Sequence, residues 1–480
     1  MTIGSPSRLA FMCRPNLFKT RLALAMALLA STLASQASAT QPAIDAAASE
    51  APAPPPPKKL GPFYSPIDLQ NWLLNFQATY ILQRKPGLNA AYSGPNSLFT
   101  DPETGYTLST TVYLGFRPWT GAEIFFNPET IQSRDISNLT GLGGQSNGEN
   151  QKGGGPLPNI YLARLFLRQT IDMKGEPSAV SAEPNQFAGT VSRRRFVVTL
   201  GFLSVMDVFD PNAISHDPRT SFLNWATWTY GASDFAADSR GYTFGLALEF
   251  YFDDWAFRLG RFAQPKESNG LPLDYNIIDH YGDVLELEHS HTILGQRGAL
   301  RVTGFHNRAN MGSFRDALDA AQGTGEAPKV ANVRKDQSKF AFGINLEQAI
   351  TQDLGLFGRF SWNDGRRETY AYAEIDRSLV LGATMKGRLW LRPDDTLGFA
   401  WAINGISGAH RDYLAAGGLG FFIGDGRLTY GPESILEAFY SAKVFSSLWF
   451  SVTGQHIIHP AYNVERGPAE FIGLRIHLEY

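Results

Sequence analysis

The sequence predicts an all-β protein, a transmembrane antiparallel β-barrel of about sixteen strands. Three observations predict it. Hydrophobic residues recur with period two from Asn71 to Tyr480, and helical spacing is not sustained anywhere in that span. The gaps between the alternating segments are by turns long and short. The last alternating segment ends on an aromatic, Tyr480. A secreted all-β enzyme or lectin would also alternate, because one sheet face packs on the core and the other meets water. It has no reason to sort its loops by parity.

Arg8, Arg14, Lys19 and Arg21 precede an apolar run from Leu22 to Ala34, and Ala37-Ser38-Ala39 supplies small residues at the cleavage position. Residues 1–39 are therefore read as a secretory signal peptide. The apolar run is too short to span a bilayer as a helix, which takes about 20 residues. Cleavage would remove Cys13, the single cysteine, so neither disulfides nor thiol catalysis is expected. Residues 40–70 follow as a periplasmic linker rich in proline and alanine. Its centre is Ala51-Pro52-Ala53-Pro54-Pro55-Pro56-Pro57, which favours an extended, semi-rigid form. The barrel is assigned to residues 71–480.

The chain's mean hydropathy of −0.18 excludes a helical membrane protein only. A barrel strand needs only every second residue apolar. A net charge of −3 gives no basis for nucleic-acid binding.

Ile472, Leu474, Ile476, Leu478 and Tyr480 alternate with Gly473, Arg475, His477 and Glu479. Such a strand separates oil from water. Leu108 to Phe116, Phe244 to Phe250, Phe340 to Leu346 and Leu397 to Ile403 read the same way. Tyr161, Ala163, Leu165 and Leu167 are placed on the lipid side, opposite Arg164, Phe166 and Arg168. The predicted strands are 71–82, 106–117, 121–132, 159–173, 192–204, 241–252, 255–264, 280–292, 297–308, 337–350, 354–363, 374–386, 396–408, 433–444, 447–458 and 468–480. Two of the expected short turns, 174–191 and 387–395, are too long for the pattern. Short turns on one side and long loops on the other is the arrangement of an outer-membrane barrel. An even strand count puts both termini on the short-turn side.

The parity opposite the aliphatics faces the lumen. It carries both signs of charge, among them Glu123, Asn127, Glu129, Arg164, Arg168, Glu249, Arg258, Glu286, Glu288, Arg301, Arg359, Glu437 and Arg475. An ion channel favours rings of one sign. A mixed wall suits uncharged polar solutes, since guanidinium and carboxylate groups hydrogen-bond to hydroxyls. Equally, such groups can pair with each other and stiffen the wall. Gly245, Gly343, Gly398 and Gly473 fall on the same face, where they are read as leaving the pore open.

The long stretch from Met206 through His216-Asp217-Pro218-Arg219, Phe222, Asn224, Trp225, Trp228 and Tyr230 to Arg240 combines aromatics with Asp, Asn and Arg. That combination can hold a sugar, with rings on C–H faces and polar groups on hydroxyls. It can also pack a loop on a barrel rim. No catalytic or metal centre is expected. His216 with Asp217, and His280 with His289 and His291, lack compact ligand spacing. There is no Walker A sequence. Glu286 and Glu288 would need a facing geometry to act as a glycosidase pair.

These motifs resemble the carbohydrate-selective porins of the bacterial outer membrane, the OprB type. The resemblance is carried by Tyr92-Ser93-Gly94-Pro95-Asn96-Ser97-Leu98, by Gly121-Ala122-Glu123-Ile124-Phe125-Phe126-Asn127-Pro128-Glu129 and by Tyr161-Leu162-Ala163-Arg164 with Leu167-Arg168-Gln169. It continues in His216-Asp217-Pro218-Arg219 with Phe222-Leu223-Asn224-Trp225, in Asp238-Ser239-Arg240-Gly241-Tyr242 and in Asn307-Arg308-Ala309-Asn310-Met311-Gly312. It implies a porin-like barrel whose extracellular loops fold inward, and passive uptake of monosaccharides and related small polyols without a cofactor. Glu123, Asn127, Arg164, Arg168, Asp217, Arg219 and Trp225 are the substrate-binding or pore-lining residues it points to. The expected partners are small sugars, outer-membrane lipid and the barrel-assembly machinery, met through the strand ending at Tyr480. The resemblance leaves open a homotrimer, a general or differently selective porin and, in other classes, a barrel enzyme or an adhesin.

Overall fold

The computed structural model describes residues 69–480, so residues 1–39, read as a signal peptide, and residues 40–68 of the segment read as a linker lie outside the described residues. Sixteen long strands form the barrel: β1 Trp72–Lys85, β2 Glu103–Phe116, β3 Ala122–Arg134, β4 Asn159–Asp172, β5 Arg194–Leu203, β6 Thr243–Phe252, β7 Trp255–Pro265 and β8 Tyr281–Ile293 make the first half. The second half is β9 Gln296–Met311, β10 Lys335–Ala349, β11 Leu354–Asn363, β12 Arg377–Gly387, β13 Arg392–Gly405, β14 Glu433–Phe445, β15 Leu448–Ile458 and β16 Ala469–Glu479. Each pairs antiparallel with its neighbours in sequence, and β16 returns to β1 with Ala78 opposite Leu478. Closure leaves the sheet without an edge, so the backbone groups in lipid are satisfied within it. Residues 72–480 thus fold as the closed transmembrane antiparallel barrel that the alternation predicts.

The two faces differ as the pattern requires. On β10, Leu346 is 44% exposed and Phe342 40%, whereas Asn345 is fully buried. A continuous band of exposed aliphatics would be a liability in water and is the expected surface against acyl chains. Trp72, Trp119, Phe252, Trp255 and Phe445 lie exposed near the short turns, where amphipathic rings meet headgroups.

One parity assignment is corrected. The register between β3 and β4 shifts at Asn127/Pro128, with Asn127 opposite Arg164 and Pro128 opposite Leu162. Pro128 has no N–H to give the ladder, and β4 accommodates an extra residue there. Below the bulge Leu165 points to lipid, as predicted. Above it the parity reverses: Ala163 is buried, Tyr161 reaches Glu129 inside the barrel and Ile160 is the exposed residue.

The lumen glycines are also corrected. A Cβ on Gly343 would stand 2.5 Å from the Tyr230 ring, and one on Gly398 would stand 2.2 Å from the Phe439 ring. Gly245 likewise seats Phe262. At these three positions aromatic rings fill the space, and at Gly473 Leu223 of the inward segment does, 3.2 Å from where a Cβ would stand, so the missing side chains do not open the channel.

Both departures from the loop rule have a local cause. The interval after β12 is a tight turn, Arg388–Trp390, because β13 starts earlier than its hydrophobic pattern shows. The interval after β4 contains a small hairpin, Pro177–Val180 paired with Gly189–Ser192.

Candidate pore constriction

The segment between β5 and β6 runs through the inside of the barrel. Its first turn sets one charged contact. Ser204 caps the turn Val205–Asp207, and the Asp207 carboxylate accepts the Ser204 N–H at 2.9 Å. That carboxylate also takes both donors of a fork from Arg164 on β4, each at 2.7 Å. Burial alone would raise the Asp207 carboxyl. The Arg164 guanidinium outweighs it and holds the group below the ordinary aspartate range.

A second turn presents Arg219. Asp217 accepts the Arg219 N–H at 2.8 Å, and its carbonyl accepts the Ser221 N–H at 2.9 Å. Its carboxyl is lowered too, burial opposing and Arg219 prevailing. The Arg219 guanidinium donates to Glu129 on β3 at 2.8 Å, to Glu149 at 2.9 Å and to Gln77 on β1 at 2.8 Å. Glu149 belongs to the segment between β3 and β4, which also turns inward. Glu129 further accepts from Thr111, Tyr161 and Tyr242. Asp217 thus orients the turn, and Arg219 fastens the segment to the wall.

Further along, Glu437 on β14 accepts the N–H groups of Leu223 and Asn224 at 2.5 and 3.0 Å. Asn224 in turn caps the short helix Trp225–Trp228. Arg359 on β11 pairs with Asp210 at 3.1 Å, and Arg475 on β16 donates to the carbonyls of Pro218 and Ser221 at 2.7 Å. The inward-folded loop is thus fixed to strands on several sides of the lumen.

Trp225 is 4% exposed. It stacks on Tyr372 with centroids 4.6 Å apart and meets Trp228 edge-on at 4.7 Å. Its rings pack the inward segments against one another. Glu123 and Arg168 stand together nearer the short turns: Glu123 pairs with Arg117 at 2.9 Å and lies 3.6 Å from Arg168. Asn127, wholly buried, donates to Asn185 of the small hairpin at 3.0 Å.

The seven residues read from the sequence thus occupy three settings. Arg164, Arg168 and Glu123 keep part of their charged surface open to the lumen, with Asp207 and Arg117 beside them and Lys152 at the Tyr242 ring that Arg164 also meets. Asp217, Arg219 and Trp225 are built into the loop, and Asn127 into the floor. Sequence reasoning missed Asp207, Glu149, Lys152 and Asn185, all on connecting segments outside the strand pattern. Glu129 stood in the quoted motif and on the lumen parity, a signal that could have singled it out.

The opposite wall is fully engaged. Arg258 pairs with Glu286 at 2.7 Å and Glu288 at 2.9 Å, and Arg301 links Glu288 to Glu347. Glu286 and Glu288 point the same way from one strand and share one arginine, which is not the facing pair of a glycosidase. Among the described residues, no group of three metal-ligating side chains stands together.

The sequence matches the carbohydrate-selective porin, OprB family over residues 97–480. The solved high-pH structure of Pseudomonas putida OprB has a TM-score of 0.62 at 16% identity, covering 86% of this chain and 95% of that one. Its low-pH structure gives 0.46 at 12% identity, covering 86% and 93%. Pseudomonas aeruginosa OccK2 (OpdF) gives 0.42 at 10% identity, covering 86% and 97%. No curated protein sequence matches the chain. The family match spans most of the barrel and both inward-folded segments, so the chain belongs to the carbohydrate-selective porins of the OprB family.

Proposed function

We infer that the barrel passes monosaccharides and small polyols down their gradient across the outer membrane, and that selection occurs beside β3 and β4. The observation that carries this is the pairing of the accessible charges. Arg164 with Asp207, and Arg168 and Arg117 with Glu123, present donors and acceptors side by side without a strong field of one sign. An ion gains little there. A hydroxyl can accept from a guanidinium and donate to a carboxylate in the same step. Each contact replaces a water contact of similar strength, so binding stays weak enough for release.

Residues 1–39 serve as the export signal, and the backbone pairing of Tyr480 with β1 supports its role in assembly. Single-channel current in planar bilayers, with a panel of sugars added, tests the reading. Glucose should reduce the ion current in a saturable way, and liposomes should swell faster in glucose than in a bulkier disaccharide. Equal rates for all solutes below one size would make the chain a general porin.

A further inference from the structure

The small hairpin after β4 starts on the short-turn side, yet its tip lies among inward-facing side chains. Its arms, Pro177–Val180 and Gly189–Ser192, are paired, and Glu183 and Gln186 exchange two backbone hydrogen bonds of 3.0 Å across the Pro184-Asn185 tip. The base is fixed by Met173 and Arg194 at 2.9 Å and by Arg193 and Glu176 at 2.8 Å. The tip then touches four strands. Asn75 on β1 donates to the Glu183 carbonyl at 3.2 Å, and Asn127 on β3 donates to the Asn185 side chain at 3.0 Å. Arg168 on β4 donates to the Asn185 carbonyl at 3.0 Å. Phe187 packs on Phe125 of β3 and over Gly115 of β2, with the Arg117 guanidinium 4.2 Å from its ring centre.

These contacts fall one inward position from those of Arg219. Asn75 and Asn127 hold the hairpin; Gln77 and Glu129, two residues on in each strand, hold Arg219. Two residues of strand span about 6.6 Å. The outer loop and the periplasmic hairpin therefore meet the same wall at adjacent levels. Asn127 Oδ1 has no protein partner although it is buried, which leaves an acceptor beside Asn185 for a hydroxyl or water.

We propose that this hairpin is a second, periplasmic selectivity collar, in which Asn185 and the Arg117–Glu123–Arg168 chain form a polyol-binding step below the Arg164–Asp207 level. The collar narrows the exit from the periplasmic side, where a barrel of this kind otherwise has only short turns. It rests on the lumen being a conducting pore, and its sugar preference rests on the function inferred above.

A thiol tests the position without a sugar. Cys13 lies in the segment read as the signal peptide, so Asn185→Cys gives the processed barrel its only cysteine. A negatively charged methanethiosulfonate added to the bilayer should lower the single-channel current to half or less. An unchanged current, with modification verified by mass, would place Asn185 outside the conduction path and overturn the proposal. Replacing residues 177–192 by a short Gly-Ser turn should raise conductance about twofold and admit a trisaccharide that the native channel excludes. Unchanged conductance and an unchanged size limit would overturn the collar. Thiol block without any glucose block would keep the collar as a size filter and remove the sugar reading, so the two failures are distinct.

Discussion

The Arg219 guanidinium donates to the Glu129 carboxylate at 2.8 Å, across 90 residues of sequence, and both side chains are almost wholly buried. One residue is on a loop that leaves the outer end of the barrel; the other faces inward from a strand. This pair, with Glu149 accepting from Arg219 Nε, holds the loop inside the lumen.

Removing that cation leaves buried Glu129 with only neutral hydroxyl donors and Glu149 with Lys152 alone. Arg219→Met should cost about 3–5 kcal/mol of stability. Thermal unfolding in detergent would show it as a lower transition temperature, and single-channel records should become noisier as the loop loosens. A quiet channel of unchanged stability would mean that the pair is not what holds the loop.

Arg164 and Arg168 keep part of their charge open to the lumen. Arg164→Ala with Arg168→Ala should move ion selectivity toward cations and weaken glucose block several-fold. Reversal potentials in a salt gradient and sugar titrations measure the two effects. If neither moves, the arginines only stiffen the wall.

The Asp207 carboxyl is lower in the folded protein than in the unfolded chain. Its stabilising contact with Arg164 is therefore complete above the ordinary aspartate range and is lost as pH falls through the lower, folded value. Channel noise should rise only in strong acid, and Asp207→Asn should show that noise at neutral pH. Equal noise in the variant and the native channel at pH 7 would separate Asp207 from loop retention.

Gly343 seats the ring of Tyr230, which belongs to the inward loop. Gly343→Ala should cost about 1–3 kcal/mol through overpacking and alter conductance by shifting that loop. Gly304→Ala, where a Cβ meets nothing within 4 Å, should change neither. The same result for both variants would mean that ring packing on the glycine does not set the loop.

Tyr480 exchanges backbone hydrogen bonds with Phe76 at 2.8 and 2.9 Å. Deleting it should lower the amount inserted in the outer membrane several-fold, while protein refolded in detergent still conducts. Wild-type insertion in cells would remove Tyr480 from assembly.

Alternation was enough to place all sixteen barrel strands, because each strand must present apolar atoms to lipid at every second residue whatever its neighbours do. The pattern failed where the backbone left regular pairing. At the bulge beside Pro128, Tyr161 and Ala163 point inward although the count puts them outward. The hairpin after β4 has no long alternating run, so its reach into the lumen could not be read from the chain.

The candidate site divides in the same way. The barrel, its strand number, its two sides and, away from the bulge beside Pro128, the residues that face inward follow from a local period of two along the chain. What the inward residues do depends on partners that only the closed barrel brings to them. Arg219 is occupied by Glu129, Glu149 and Gln77, and Trp225 by Tyr372, whereas Arg164 and Arg168 keep surface in the lumen. Those partners come from strands and loops far apart in sequence. Whether a charged group meets a solute or another side chain depends on the three-dimensional closure that brings them within hydrogen-bond distance.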